Sequence, residues 1–151
     1  MALRQLRYED DDILRKKCKH VEKIDDKIRT ILNDMAETMY ATQNGVGLAA
    51  CQVGILKRLV VIDMGEGLIK LVNPKIIDEI GHQKCIEGCL SFPHKIGKTI
   101  RPQKVTIHAF DENGKELILT GEDELAKCIC HELDHLDGIV FIDKVIKFVD
   151  R

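Results

Sequence analysis

The sequence predicts a single α+β domain in which antiparallel β-sheets pack around a C-terminal helix, with a second helix near the N-terminus. Three observations support this. A chain of 151 residues suits one core, apolar residues recur at helical spacing in two segments, and alternating segments lie between them. Hydrophobic residues make up 44% of the chain and charged residues 32%, as in globular proteins. We therefore expect residues 1–151 to form one domain.

The N-terminal helix is predicted to begin at Asp25 or Asp26, because either side chain suits a helix cap. A turn signal at residues 43–45 (QNG) should end it, and a shorter helical piece is expected near residues 11–17. Apolar residues at helical spacing predict core packing and no ligand role. They are Ile28, Ile31, Leu32, Met35 and Met39.

Two hairpins are predicted in the middle of the chain. Residues 58–63 (RLVVID) and 68–73 flank a Gly-Glu-Gly turn, and residues 104–110 and 116–120 flank Asp-Glu-Asn-Gly. Residues 76–80 are a further strand candidate. Alternation of apolar and polar residues in the second hairpin indicates a sheet with one buried face.

The last helix is predicted to begin near Thr120, whose spacing from Asp123 is that of a capping box, and to end at Gly138. A short apolar tail over residues 139–149 follows it. The stripe that should face the core comprises Leu125, Ile129, Leu133 and Leu136.

Composition argues against several classes of function. The net charge is −2 with both signs interspersed and no basic block, so no nucleic-acid binding is expected. The N-terminal residues MALRQLRYEDDD lack the apolar core of a signal peptide, and no apolar run is long enough to span a bilayer. We therefore expect a cytoplasmic protein without membrane contact. None of the six cysteines forms a CxxC pair, which excludes a tetrathiolate zinc ribbon and favours free thiols or metal ligands.

The most informative motif is HELDH at residues 131–135. His131 and His135 are one helical turn apart, so both imidazoles can reach one metal ion, with Glu132 beside it as a proton carrier. The pattern is typical of hydrolytic metal sites. An ordinary amphipathic helix with surface histidines also produces it, so the motif alone leaves both interpretations open.

A catalytic metal site usually has three protein ligands, and two candidates exist for the third. Downstream, Asp143 has a workable spacing and would make the protein a small zinc endopeptidase. Upstream, Cys89 in EGCLS (residues 87–91) supplies a thiolate, with Gly88 permitting close backbone approach. The alternative for Cys89 is a small buried hydrophobic residue, the usual fate of free cysteine.

A third motif, GVGLAACQ at residues 45–52, combines small residues with an amide side chain. The glycines and alanines predict backbone lying close to another group, and Gln52 supplies a neutral donor. No P-loop lysine follows and no GxGxxG is present, so phosphate binding is not indicated. A tight turn into a small-residue strand is the alternative interpretation.

Together, the motifs at 45–52, 87–91 and 131–135 resemble those of peptide deformylase, in the order and with the approximate separations of that family. The resemblance extends over nearly the whole chain, including the helix at 25–43 and Arg-Pro at 101–102. It implies an enzyme that removes the formyl group from the N-terminal formyl-methionine of new bacterial or organellar proteins. Its partners would be N-formyl-methionyl nascent peptides, close to the ribosome.

The resemblance also assigns roles to individual residues. Glu132 would be the general acid/base, and Gln52 with the backbone N–H of Leu90 would form the hole for the developing oxyanion. One divalent metal ion is implied, natively Fe(II), with Ni, Co or Zn possible in a preparation. The implied metal ligands are Cys89, His131 and His135.

Substrate contacts are expected around the glycine-rich motif. Gly45 and Gly47 would crowd the carbonyl carbon and exclude acetyl, a steric hypothesis. Val46, Cys128 and, less directly, Leu125 are candidates for the pocket of the methionine side chain, although plain core packing explains each equally well.

Two further expectations follow from the resemblance. Glu87 and Arg101 are expected to form an ion pair near the Cys89 loop. Cys51 stands where the family commonly has proline, which frees a backbone N–H and adds a thiol close to the site.

Overall fold

Across residues 2–42 and 45–149, the computed structural model contains two α-helices and two antiparallel sheets, which confirms the predicted class. The five-stranded sheet has the order β1-β2-β3-β6-β7, and the three-stranded sheet has the order β4-β5-β8. The helices are α1 (Asp26–Ala41) and α2 (Glu124–Leu136). The strands are β1 (Gly47–Ala49), β2 (Leu59–Ile62), β3 (Ile69–Ile80), β4 (Gln83–Cys89), β5 (Phe92–Arg101), β6 (Lys104–Phe110), β7 (Glu116–Glu122) and β8 (Lys147–Val149).

Helix α1 begins where its cap predicts. The Asp25 carboxylate accepts a hydrogen bond from the Ile28 N–H at 3.2 Å, satisfying one free donor of the first turn. The helix ends at Ala41, and residues 43–44 of the predicted turn at 43–45 lie outside the described residues. The predicted piece near residues 11–17 is a 3₁₀ turn, Asp12–Arg15. Four members of the apolar stripe are buried: Ile28, Leu32, Met35 and Met39.

Both predicted hairpins are present, β2 with β3 and β6 with β7. The segments at 68–73 and 76–80 form one strand, β3, and not the two that were predicted. Within this strand Asn73 adopts φ 52°, and its side chain binds the backbone of Val21, accepting from the N–H at 2.8 Å and donating to the carbonyl at 3.0 Å. Its register against β6 shifts on either side of Lys75–Ile76, where the strand bends.

The predicted start of the last helix is wrong. Thr120 lies in β7, where its hydroxyl is 3.0 Å from that of Thr106, and strand pairing continues to Glu122 opposite Lys104. This pairing satisfies the backbone groups that a capping box would have engaged, so α2 begins only at Glu124. The predicted end is confirmed: Gly138 adopts φ +75°, and its N–H donates to the carbonyl of His135 at 3.1 Å.

The three-stranded sheet was not predicted. Its inward positions carry polar and charged residues that are nonetheless buried, so apolar alternation does not mark the strands. Strands β4 and β5 are joined by the two-residue turn at 90–91, and β8 in the C-terminal tail pairs with β5. The buried inward residues include Glu87, Thr99 and Arg101. Cys89 is the last residue of β4 and therefore sits beside the turn.

The five-stranded sheet separates two cores. Alternate residues of β2 face opposite sides: Val60 and Ile62 pack in the α2 core, whereas Leu59 and Val61 pack in the α1 core. All four are completely buried. Helix α2 lies against the larger sheet and also contacts β5, so the smaller sheet closes over it. Neither helix of the described residues is long and apolar enough to cross a membrane.

Candidate active site

The HELDH residues on α2 meet the end of β4. The potential ligand atoms of Cys89, His131 and His135 all lie within 4.8 Å of one another. Cys89 Sγ is 3.4 Å from His135 Nε2, and the two imidazole rings are 5.0 Å apart between centroids at an angle of 70°. Both histidines are buried, and Cys89 is half-buried. The structure therefore brings together the three residues that the sequence analysis suggested as ligands.

His131 is oriented by its neighbours. Its Nδ1 lies 2.9 Å from the Glu87 carboxylate, which directs Nε2 to the cluster, since a ring nitrogen engaged in a hydrogen bond cannot also be a ligand. The Phe141 ring stacks on His131 with a centroid separation of 6.0 Å. A carboxylate behind a histidine in this way fixes the tautomer and strengthens the donor nitrogen.

The predicted ion pair between Glu87 and Arg101 is present and buried. Arg101 donates from Nε and Nη2 to the two Glu87 oxygens at 2.6 and 2.8 Å, and from Nη1 to Asp134 at 2.7 Å. Thr99 also donates to Glu87. Burial by itself would raise the pKa of Glu87, but Arg101 and His131 outweigh it and hold that pKa well below its usual range. The carboxylate behind His131 is therefore charged at neutral pH.

The donor set fits a divalent transition metal. One thiol and two imidazoles form a sulfur–nitrogen set of borderline softness, which suits zinc, iron, cobalt or nickel. Burial holds the pKa of His135 well below its usual value, so its imidazole is neutral and has a lone pair to offer. Among the described residues, His135 Nδ1 has no hydrogen-bond partner, so the ring is not tied to another protein group on that side.

The alternative ligand Asp143 is not in this cluster. Its carboxylate accepts hydrogen bonds from Arg15 at 2.5 Å and from the Val140 N–H at 3.2 Å. It thereby stabilises the 3₁₀ turn Phe141–Asp143 that follows α2. The zinc endopeptidase interpretation, which depended on Asp143 as third ligand, has no support in the structure.

Glu132 projects from α2 next to the ligand cluster. It is buried, and its Oε1 has no hydrogen-bond partner among the described residues. Burial raises its pKa to about 7, although the nearby His131 charge opposes the shift. A Cβ atom at Gly47 would lie 2.7 Å from Glu132 Oε2, so only glycine fits there without displacing the carboxylate. A carboxyl group with a pKa near 7 is suited to exchange protons at physiological pH.

Gln52 is fixed by both ends of its amide. The side-chain oxygen accepts a hydrogen bond from the Ala49 N–H at 3.0 Å, and Nε2 donates to Ser91 Oγ at 3.2 Å. The same Nε2 is 3.5 Å from Cys89 Sγ, so its donor faces the ligand cluster. Leu90 lies in the turn beside Cys89 and borders the same space. Ser91 belongs to the EGCLS motif but was not among the predicted site residues.

A cavity of 340 Å³ opens in front of these groups. Four of the predicted substrate-contact residues line it: Gly45, Val46, Gly47 and Cys128. The structure does not bring Leu125 there, because its side chain packs at Gly121 of β7, where an added Cβ would meet it at 2.8 Å. Pro93, Ile96 and Lys127 also line the cavity and were missed, the first two because the β4–β5 hairpin was not predicted.

Cys51 lies behind the site and not in the cavity lining. It is fully buried, and its thiol donates to the backbone carbonyl of His135 at 3.5 Å. The thiol is thus close to the site, as expected, but it contacts the main chain of a ligand residue and not its imidazole.

Comparison with known proteins gives a consistent result over the full chain. Residues 3–150 match the polypeptide deformylase family. The chain is 59% identical to peptide deformylase 2 of Clostridium acetobutylicum over 149 residues, covering 99% of both chains. It is 55% identical to the peptide deformylase of Acetivibrio thermocellus, covering all of this chain and 88% of the relative.

Solved structures agree. A peptide deformylase from Legionella pneumophila superimposes with a TM-score of 0.91 at 43% identity, covering 95% of this chain and 86% of that chain. The Ehrlichia chaffeensis enzyme in complex with actinonin superimposes with a TM-score of 0.93 at 39% identity, covering 96% and 90%.

Proposed function

Because this chain belongs to the peptide deformylase family, we propose that Cys89, His131 and His135 hold the divalent metal ion on which its activity depends. The chain is a metal-dependent hydrolase that removes the N-formyl group from the N-terminal formyl-methionine of new polypeptides and releases formate. The observation that carries the ligand assignment is the convergence of one sulfur and two imidazole nitrogens within 4.8 Å.

We propose Fe(II) as the natural metal, with Ni, Co or Zn able to replace it in a preparation. The thiolate and imidazole donors tolerate all four ions, which supports a site whose occupant depends on availability. When bound, such an ion supplies Lewis-acid chemistry, since it acidifies water and polarises the formyl carbonyl.

The side chains around the cluster divide the remaining work. Gln52 Nε2 and the Leu90 N–H donate hydrogen bonds to the carbonyl oxygen as negative charge develops on it. The Ser91 and Ala49 contacts hold the Gln52 amide in this orientation before substrate arrives. A donor that is already oriented does not have to reorganise during the reaction, and this lowers the free energy of the transition state.

Glu132 carries the proton. It accepts a proton from the attacking water and passes it to the nitrogen of the leaving amine, which makes that nitrogen a better leaving group. Its buried position and its pKa of about 7 support both halves of this transfer. Gly47 keeps the space beside the carboxylate free.

Substrate selection follows from the size of the site. Gly45 and Gly47 border the cavity, and a Cβ at Gly45 would lie 2.7 Å from the Met39 carbonyl oxygen, so the backbone here is already crowded. We expect formyl to fit and acetyl to be excluded, with the methionine side chain held near Val46 and Cys128. Comparable turnover of acetyl-Met and formyl-Met peptides would refute this.

The setting of the reaction is also part of the proposal. Formyl-methionine occurs at the start of newly made chains, so we propose that the protein acts in the cytoplasm, close to the ribosome.

The ligand assignment is tested by comparing two cysteine variants. Cys89→Ala should lose bound metal, measured by elemental analysis, and formate release from formyl-Met-Ala-Ser. Cys85→Ala is the matched control, since Cys85 lies on the same strand with its thiol buried outside the cluster. Full metal occupancy in Cys89→Ala would overturn the assignment.

A further inference from the structure

The outward surface of the three-stranded sheet has an unusual composition. Its inward positions, such as Cys85 and Thr99, are buried, so alternate residues point away from the protein. We name this surface the lysine face, defined by Lys84, Ile86, Ile96, Lys98, Ile100 and Lys147. Gly88, His94 and Val149 occupy the remaining alternate positions of the three strands, so none of these positions holds an aspartate or glutamate. The face is therefore basic and apolar on a chain of net charge −2.

The register of the strands places like charges together. Lys98 on β5 is directly opposite Lys147 on β8, and on its other side it is opposite Ile86. Like charges in directly opposed positions destabilise a sheet. None of the ion pairs formed between described residues involves Lys84, Lys98 or Lys147. The repulsion is thus not compensated within the described part of the chain, which points to an anionic partner.

The lysine face continues into the candidate active site. Gly88 and Ile96 lie on the face and also line the cavity, and a Cβ at Gly88 would be 3.7 Å from Ile96 Cγ1. Lys98 is two residues from Ile96 along β5, and Lys84 is four residues from Gly88 along β4. At about 3.3 Å per residue, the lysines start about 7 to 13 Å from the cavity lining. An extended peptide whose first residue occupies the cavity covers that distance within its next few residues.

We propose that the lysine face binds acidic side chains at about the fourth to sixth positions of the formylated polypeptide, and so favours substrates with acidic early sequences. This rests on the proposed function, because it places the formyl-methionine in the cavity. The chemistry of the face favours a peptide over RNA, because none of its six defining residues is an arginine or an aromatic residue that could stack on bases. The exposed Phe148 of β8 is opposite Gly97, a buried position, and so does not belong to the face. Alternating isoleucine and lysine instead match an extended chain with mixed apolar and acidic residues.

The test compares one formylated peptide carrying different C-terminal extensions. Formate release is measured with formyl-Met-Ala-Ser, and with the same peptide extended by three aspartates or three asparagines. We expect the aspartate tail to raise kcat/KM about 3- to 10-fold over the asparagine tail at low ionic strength, through KM. High salt should remove the gain. The variant Lys98→Gln/Lys147→Gln should abolish it while leaving the unextended peptide unaffected. Lys57→Gln/Lys115→Gln is the control, since it removes two exposed charges elsewhere.

Equal kcat/KM for the two tails, or a gain that survives in Lys98→Gln/Lys147→Gln, would overturn the proposal. Fluorescence anisotropy of labelled Met-Ala-Ser peptides with the same two tails measures their affinity for the lysine face without turnover. If the natural protein released no formate from the unextended peptide, that result would count against the proposed function and not against the role of the lysine face. If the face bound a single-stranded RNA through its lysines and showed no preference between the two peptide tails, the proposal would be overturned in favour of a nucleic-acid partner.

Discussion

Helices α1 and α2 each bury one face, but the two faces serve different purposes. The buried face of α1 is dominated by aliphatic and thioether side chains such as Leu32, Met35 and Met39. The buried face of α2 carries His131, Glu132 and His135 among its apolar residues. Burying apolar surface is favourable without further conditions, whereas burying titratable groups needs partners. Helix α1 also buries Asp34, which pairs with Arg4. Most of its buried face can nevertheless be understood from its own sequence, whereas that of α2 can be understood only with β4 and β5 beside it.

The ends of the two helices show the same contrast. Asp25 caps α1 with its side chain, as its position predicts. Asp123 precedes α2 at φ 54° with no side-chain cap, and the start of that helix is set by the strand β7 that leads into it. Local sequence thus determines where α1 begins, and tertiary contacts determine where α2 begins.

The largest expected effect comes from Glu132→Gln on α2. The substitution preserves volume but removes the proton carrier, so formate release should fall by about 10²- to 10⁴-fold. The melting temperature should not fall, because the Glu132 Oε1 has no partner to lose among the described residues. Activity within a few-fold of the natural enzyme, at equal metal content, would remove Glu132 from the mechanism.

Arg101→Met should affect stability and metal binding together. It leaves the buried Glu87 carboxylate and Asp134 without their cation, which typically costs about 3–5 kcal/mol in unfolding free energy. Glu87, which orients His131, is then no longer held in place by Arg101, so metal affinity should drop about 10- to 100-fold. Urea unfolding and metal titration measure the two effects. Adding Glu87→Gln should restore part of the stability but not the metal affinity; recovery of both would contradict this account.

Met35→Ala on α1 should lower stability without changing function, the reverse of the effect expected for Glu132→Gln. Met35 is fully buried, and its truncation should lower the unfolding free energy by about 2–5 kcal/mol. Metal content and kcat, measured well below the melting temperature, should be unchanged because α1 contributes no side chain to the cluster. A parallel loss of kcat would show that the two cores are coupled through the five-stranded sheet.

The smallest effect is expected at the α1 cap. The hydrogen bond from the Ile28 N–H lowers the pKa of Asp25, so its stabilising effect is present above the ordinary aspartate pKa and is lost as the pH falls through the folded-state value. Asp25→Ala should lower the melting temperature at neutral pH, with the difference shrinking in acid. Asp25→Asn keeps a cap without a charge and should show less pH dependence. A pH-independent difference for Asp25→Ala would argue against the charged cap.

Sequence patterns located most of the fold where apolar periodicity and local capping agree. The stripe and cap of α1, both predicted hairpins and the glycine stop of α2 at Gly138, just after the last helical residue, are present. The β4–β5–β8 sheet was missed because charged residues such as Glu87 and Arg101 occupy some of its inward positions. Such residues are buried only because they neutralise each other across strands, a fact that no local pattern contains.

The candidate ligands could be suggested from motifs because a helix fixes the spacing of His131 and His135. Leu125 was predicted both in the core stripe of α2 and, less directly, at the substrate pocket. Its side chain packs at Gly121 of β7 and does not line the cavity. Residues such as Ile96 reach the cavity only because the β4–β5 hairpin folds back over α2. No local sequence pattern shows that these residues lie close to the ligand cluster.

By itself, the sequence determined the helix faces and the hairpins, because these depend on periodicity and on side chains a few residues apart. Its three motifs carried the resemblance to the family. Tertiary structure alone decided that the Cys89 thiol meets two imidazoles, that Glu132 is buried without a partner, and that Lys98 faces Lys147 next to the cavity. The physical reason is distance along the chain: electrostatics and burial act through space, between segments whose juxtaposition only the assembled sheets define.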